Sequence, residues 1–448
     1  MTTTDNRAPA LAPGGLPLLG HALRMKRDPR GFLLALQSGD PVTAIRLGPQ
    51  TVYVINDPAL IRGALRDPET FGKGGPITER FRAMFGNGLG ISDGDLHRRQ
   101  RALMQPAFSH ARIVGYAALM SEELERRLGA WQADEHLPVH QEMGDLALDN
   151  LTHAMFSADT DVDGTEFREA TATVLNGLYR RVMDPTGLLA RLPIPSNLRY
   201  RQAEAHLREV IDGVIATYRA DGKDHGDLLS MLLLARDESG GEAMTDDQLH
   251  DEVMTIFIAG AESIANTLAW ACHEVATHPA VEQALFTETD TVLAGRTAKH
   301  ADLPRLEYTK RVIAETLRYR TQGWALSRTA TRETVIGGWR IPANAAVMYS
   351  PHALNHNPAI HTAPDQFDPD RWIPDRARDL PRGSYIPFGT GNHTCIGEPF
   401  ALTEMTLTLA SIASKWRLEP VPGKEPRAKV ALTMPVDALW MIPRHRQH

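Results

Sequence analysis

A mainly α-helical fold with small β-sheets is what this 448-residue sequence predicts, as a single domain over 1–448. Three observations predict it. Apolar residues recur at helical spacing through most of 97–234 and again over 245–278. Short β-branched runs bounded by Gly and Pro gather in 40–70 and 326–370. A glycine-rich loop bearing a cysteine stands directly ahead of a last helical pattern at 399–415. No internal repeat or low-complexity segment competes with this reading.

The elements follow in chain order. Residues 1–20, rich in Pro and Gly, are expected as a surface loop. Val42–Leu47 and 51–55 read as two strands around Gly48-Pro49, a hairpin. Residues 72–94 are heavy in glycine, carry Phe81, Met84 and Phe85, and read as a long functional loop. Helices then run through 97–234, with a break at Asp184-Pro185-Thr186-Gly187 and a polar turn at 237–242. Thr245 opens the longest helix with a capping box to Gln248. Ending before Pro279, that helix has about 33 residues and a length of roughly 50 Å at 1.5 Å per residue. A further helix covers 306–319. His352 and His356 stand at i, i+4, but Pro351 and Asn357-Pro358 predict turns there, and HExxH is absent.

Composition excludes several classes. Hydrophobic residues make up 42% and charged residues 23%, ordinary for a soluble globular protein. A net charge of −7 argues against a general nucleic-acid binder. The two cysteines, Cys272 and Cys395, offer no disulfide framework and fit a reducing interior. The N-terminus lacks a charged region followed by an apolar run, and no uninterrupted apolar run has the length of a membrane span. A cytoplasmic protein without a membrane span is the expectation. Gly86-x-Gly88 lacks a correctly placed third glycine, so no dinucleotide fingerprint is present.

Three constellations carry chemistry. The first is Phe388-Gly389-Thr390-Gly391-Asn392-His393-Thr394-Cys395-Ile396-Gly397. A thiolate near a helix N-terminus is favoured by the helix dipole, and glycines bring backbone N–H groups close to sulfur. A metal-ligating thiolate fits this loop; a buried structural cysteine in a turn is the alternative. The second is Glu315-Thr316-Leu317-Arg318, whose charges share a helix face, read together with Arg371 in Phe367-Asp368-Pro369-Asp370-Arg371-Trp372. A Glu flanked by two Arg residues would lock the second segment to the helix. The third is Ala259-Gly260-Ala261-Glu262-Ser263 in the middle of the long helix. Glycine there costs about 1 kcal/mol relative to Ala, and polar groups interrupt an apolar pattern. Either a functional site or a packing glycine beside an exposed Glu accounts for it.

In this order the motifs resemble the cytochrome P450 family over nearly the whole chain. The resemblance implies haem b, sandwiched between the long central helix and the cysteine loop, with Cys395 as the axial thiolate that favours O–O cleavage. It implies that Phe388, Gly389, Gly397 and Ala259 line the cofactor, and that Glu315, Arg318 and Arg371 form the family's structural charge cluster. His97 and Arg101, with Arg328 and His393, match the usual propionate-binding positions. Glu262 and Ser263 match the oxygen-activating pair. Most relatives place Thr after the acid; Ser263 keeps the hydroxyl but lacks the methyl that restricts χ1.

The segments implied to line the substrate pocket are apolar: Phe81, Phe85, Leu178, Ile256, Trp324, Ala325, Leu326 and Met434. A hydrophobic small molecule is expected. Leu178-Tyr179-Arg180-Arg181, Leu192-Pro193-Ile194-Pro195 and Pro17-Leu18-Leu19-Gly20-His21 are similar to soluble bacterial P450s of terpenoid biosynthesis, of the albaflavenone-synthase type. That implies O2-dependent oxidation of a cyclic terpene, with fatty acids, steroids and macrolides as other substrate classes. No reductase domain fits in the chain, so the resemblance implies a monomer served by a ferredoxin and its reductase. Arg98, Arg99, Lys310 and Arg311 are candidates for that docking. An O2-independent haem-thiolate isomerase or dehydratase, and a haem-dependent sensor, are the competing readings.

Overall fold

The computed structural model describes residues 6–156, 164–182, 192–235, 243–428 and 433–446. Within it the chain forms two compact units, 1–79 with 314–395 and 80–313 with 396–448.

The first unit is built on a sheet. β1 (Val42–Leu47) and β2 (Gln50–Ile55) pair antiparallel with Val42 opposite Ile55, and Gly48 takes φ +64° in the turn. β3 (Phe71–Gly72) and β4 (Leu326–Ala330) follow, then the hairpin of β5 (Thr334–Ile336) and β6 (Trp339–Ile341). Gly337 and Gly338 both have positive φ in that two-residue turn, the geometry that suits the twist of a hairpin. β7 (Ala346–Tyr349) joins β2 in parallel and completes the five-stranded order β1-β2-β7-β4-β3. Buried residues make two clusters in this unit. One holds Val42, Ile55, Val347 and Tyr349 with the helix Pro58–Arg66; the other holds Ile45, Val52, Val54 and Met348 with the helix Pro29–Ala35. Alternation along the strands sorts side chains between these clusters.

The second unit is helical. Its central helix, Asp246–Thr277, has 32 residues and the capping box expected at Thr245 and Gln248, with both reciprocal hydrogen bonds formed. It packs on Val139–Met155 and on Glu398–Lys415. By length and composition it alone, among the described residues, passes for a membrane span, yet 78% of that window is buried inside the protein. β8 (Trp416–Pro420) and β11 (Met441–His445) pair antiparallel, as do β9 (Arg427–Ala428) and β10 (Val436–Asp437).

Two expectations are corrected. Residues 72–94 are not one long loop, because Gly75–Phe85 is a helix. Its glycines are confined to the start and the flanks, leaving a run that contains Phe81 and Phe85 one turn apart. The residues around His352 are also helical, Pro351–Asn355. Pro351 sits at the first helical position, where its missing N–H costs nothing, and the Ser350 hydroxyl accepts from Ala353 N–H at 3.0 Å. The expected break at 184–187 and the polar turn at 237–242 lie outside the described residues.

Glu404 lies fully buried on Glu398–Lys415, where Asn150 Nδ2 donates to its Oε1 at 2.9 Å. Burial pushes its pKa up to about 8, against a smaller lowering by Asn150. From the ordinary carboxylate range up to that value, the unfolded chain has lost this proton while the folded chain keeps it. Stability therefore falls as pH rises through that window. Glu404→Gln keeps the acceptor for Asn150 and removes the titration. Urea melts are expected to show it more stable than the parent at neutral pH, by about 2–3 kcal/mol, with the gap closing near pH 4.

Candidate active site

The cysteine loop is fixed by its own backbone. Gly389 N–H donates to Ile386 O at 3.0 Å, Thr394 N–H to Gly391 O at 3.1 Å, and Cys395 N–H to Phe388 O at 2.8 Å. Thr394 Oγ1 adds a second bond to Gly391 O at 2.8 Å. Gly389 and Gly391 have φ +73° and +75°, so both need glycine. They differ in surroundings. A Cβ at Gly389 would meet nothing nearer than His393 O at 3.6 Å, whereas one at Gly391 would sit 2.5 Å from Leu65 O. Gly391 thus lets the loop press against the helix Pro58–Arg66. Gly391→Ala is expected to lower the thermal midpoint by several degrees, and by more than Gly389→Ala, in paired melts. Gly397 has φ −83° and serves as N-cap of Glu398–Lys415, so its glycine is not required by backbone angle.

The two cysteines contrast. Cys272 is buried and its thiol is pushed up to about 12 by desolvation, which makes it inert. Cys395 is exposed. Among the described residues no group of three or more His, Cys, Asp and Glu is placed to hold a metal ion. A zinc site would draw three or four ligands from the protein. One accessible sulfur on a backbone-braced loop would suit an iron that takes its remaining donors from a porphyrin rather than from the protein.

The charge cluster lies in the same unit. Arg318 and Glu315 are both fully buried. Arg318 Nε and Nη2 donate to Glu315 Oε2 and Oε1 at 2.9 and 2.7 Å. Its remaining donors reach Asn355 O and Pro364 O, both at 2.8 Å, and Gln366 O at 3.1 Å. Arg371 Nε approaches Glu315 Oε1 at 3.4 Å and anchors through Nη1 to Thr362 O at 2.7 Å. Two donors escaped sequence reasoning: Trp372 Nε1 to Glu315 Oε2 at 2.9 Å, and Asp368 N–H to Oε1 at 3.0 Å. Both come from the quoted segment around Arg371, so the signal was a Trp next to the second Arg. Burial pushes nearby His361 down to about 3, and Arg318 and Arg371 add to the shift, so it stays neutral.

The central helix is buried along most of its length, but Ile256, Ala259, Gly260 and Ser263 keep solvent access. Their i, i+3, i+4, i+7 spacing puts them on one face in the middle of the helix, with Glu262 next to Ser263 also partly accessible. Ser263 Oγ donates back to Ala259 O at 2.8 Å and to Gly260 O at 3.3 Å. Glu262 Oε1 accepts from Thr433 Oγ1 at 2.7 Å. Burial raises the Glu262 pKa, with Thr433 and Asn266 opposing weakly. Thr433 had no signal in the sequence.

The other predicted site residues fall as follows. His97 is buried and Arg101 half-buried, one turn apart on Gly94–Met104. Arg328 is on β4, where its Nη1 donates to Ser327 O at 2.8 Å, and His393 lies in the cysteine loop. The Phe81 and Phe85 rings lie 6.1 Å apart. Leu178 and Met434 are buried, while Leu326 is exposed. Trp324 and Ala325 pack partly buried on the sheet's core. Arg98 is ion-paired with Asp95, and the Arg311 guanidinium lies over the Tyr308 ring at 4.9 Å.

Comparison with known proteins adds to this geometry. The family described as Cytochrome P450 matches residues 9–445. Cyclooctatin synthase of Streptomyces melanosporofaciens is 44% identical over 438 residues, 97% of this chain and 95% of that protein. Cyclooctat-9-en-7-ol 5-monooxygenase of the same organism is 41% identical over 415 residues, 92% of this chain and 90% of that protein. Among solved structures, the haem domain of cytochrome P450DA superposes with a TM-score of 0.88 at 28% identity, covering 98% of each chain. The chain belongs to the cytochrome P450 family, and it is a haem-thiolate monooxygenase that uses O2, a redox partner and a hydrophobic substrate.

Proposed function

We propose that this P450 oxidises a cyclic terpene, taking electrons from a ferredoxin and its reductase, as a monomeric single-domain protein of the cytoplasm. The cofactor is haem b. Cys395 would ligate its iron, and His97, Arg101, Arg328 and His393 would neutralise its propionates. Phe388, Gly389, Gly397 and Ala259 would line it. When bound, the haem activates O2, so that one oxygen atom enters a C–H bond and the other leaves as water at the expense of two electrons and two protons. The names of the relatives support the substrate class: one acts on cyclooctat-9-en-7-ol, an unsaturated alcohol, at position 5. The apolar candidates Phe81, Phe85, Leu178, Ile256, Leu326 and Met434, with Trp324 and Ala325 behind, would orient such a substrate by shape.

The observation that carries the reading is Glu262, an acid whose pKa is raised by burial and whose hydrogen-bonding partners are uncharged. A carboxyl held toward its neutral form is a proton donor. Ser263 would relay that proton once its hydroxyl leaves the Ala259 carbonyl, and serine, lacking the threonine methyl, does so with less directional control. Ser263→Ala is expected to raise peroxide release and lower product per reductant consumed by about tenfold, and Ser263→Thr to lower peroxide release below the parent. Equal coupling in all three proteins would remove Ser263 from proton delivery. The substrate class is tested by spectral titration of the haem-loaded protein. Cyclic terpene hydrocarbons or their alcohols are expected to shift the iron's spin state at low micromolar concentration. A response to fatty acids, steroids or macrolides alone would reject the terpene assignment.

A further inference from the structure

Three side chains one turn apart on the central helix reach the same short segment. Glu262, Asn266 and Trp270 stand at i, i+4 and i+8 of Asp246–Thr277 and share a face. Asn266 Nδ2 donates to Thr433 Oγ1 at 3.2 Å, and Thr433 Oγ1 donates to Glu262 Oε1 at 2.7 Å. Trp270 Nε1 donates to the backbone oxygen of Met434 at 3.1 Å. One chain of bonds runs from amide to hydroxyl to carboxyl, and the Asn266 amide also reaches the Glu262 carboxyl directly. An amide nitrogen only donates, so Asn266 takes a lone pair of the Thr433 oxygen and leaves its proton for Glu262. Trp270, through the next residue's carbonyl, holds the segment so that this hydroxyl stays in reach. Met434 and Trp270 are both buried, which makes the anchor a packed one.

A carboxylic acid carries its proton on one oxygen and accepts through the other. We propose that Thr433, held by Asn266, is the positioning residue for Glu262: its hydroxyl occupies Oε1 and leaves Oε2 as the oxygen that carries and passes the proton. This rests on the proton-donating role given to Glu262 above. Thr433 belongs to the strand-and-turn segment that ends the chain, and Met434 beside it is a candidate substrate contact. Orientation of the acid is thereby tied to the segment that would meet the substrate.

Infrared difference spectroscopy of the haem-loaded protein tests it. The carboxylic C=O band of Glu262 is assigned by its disappearance in Glu262→Gln. Thr433→Val is expected to move that band to the higher frequency of a carboxyl that has lost a donor, and to cut product per reductant about tenfold. Thr433→Ser is expected to return both to within about twofold of the parent. Where the valine variant does not fold, Asn266→Leu serves in its place, with the same band expected to broaden. A band unmoved by Thr433→Val, or of unchanged width in Asn266→Leu where that is used, overturns the positioning role. Parent-like coupling in Glu262→Gln instead overturns the proton-donor reading, while the band shift still reports on Thr433, so the two failures are separable.

Discussion

Cys395→Ser is expected to abolish monooxygenation, to below about 1% of the parent rate, while leaving the fold intact. The reasons lie in the loop. Four hydrogen bonds that shape it, from Gly389, Thr394 and Cys395 N–H and from Thr394 Oγ1, end on backbone carbonyls, the one from Cys395 N–H reaching Phe388 O at 2.8 Å. None of these uses the sulfur, and serine differs from cysteine by one atom. The loop should therefore hold its shape, and thermal midpoints should agree to within a few degrees. The donor changes from a soft, electron-rich thiolate to a hard hydroxyl. The reduced carbon-monoxide complex is then expected to lose its thiolate-type absorption. Cys272→Ser should leave that spectrum untouched, since the buried thiol is held protonated. A thiolate-type spectrum surviving in Cys395→Ser would falsify the ligand assignment.

What could be read from the sequence was whatever local chemistry exposes. Charges at fixed offsets in apolar surroundings announced Glu315, Arg318 and Arg371, because a buried ion must have partners close by. The capping box at Thr245 and Gln248 is likewise a four-residue signal, and the helix began there. Other features depend on neighbours far along the chain. Gly391 needs glycine partly because of Leu65 O, which no residue near it reveals. Thr433 meets Glu262 across 171 positions. The helix Gly75–Phe85 was hidden because flanking glycines read as loop, although the residues between them are competent helix formers. Family resemblance carried the reading further, to the cofactor and the residues expected around it, and distant pairing and weak local signals set its boundary.

Arg318→Lys is expected to be nearly as damaging as Arg318→Ala, with a loss of about 3–5 kcal/mol in either case. That is a large share of the roughly 5–15 kcal/mol that holds a typical domain together, so little soluble folded protein should be recovered. A lysine keeps the charge but offers three donors from one point. Arg318 uses five, directed at the two Glu315 oxygens and at the carbonyls of Asn355, Pro364 and Gln366. Lysine in that fully buried site would leave at least two of these five hydrogen bonds unmade and the bidentate pairing broken. Arg371 sits differently: its Nε is 3.4 Å from Glu315, a distance that contributes little, and its firmer bond is to Thr362 O at 2.7 Å. Arg371→Lys should therefore cost less, about 1–2 kcal/mol. Glu315→Gln falls between them, since it keeps acceptor geometry at one oxygen but strips the countercharge from a buried guanidinium. Urea midpoints, or soluble yield where no midpoint can be measured, are expected to rank Arg371→Lys above Glu315→Gln and Glu315→Gln above Arg318→Lys. A parent-like midpoint for Arg318→Lys would mean that charge alone, and not the fork of five donors, is what the segment 355–366 requires.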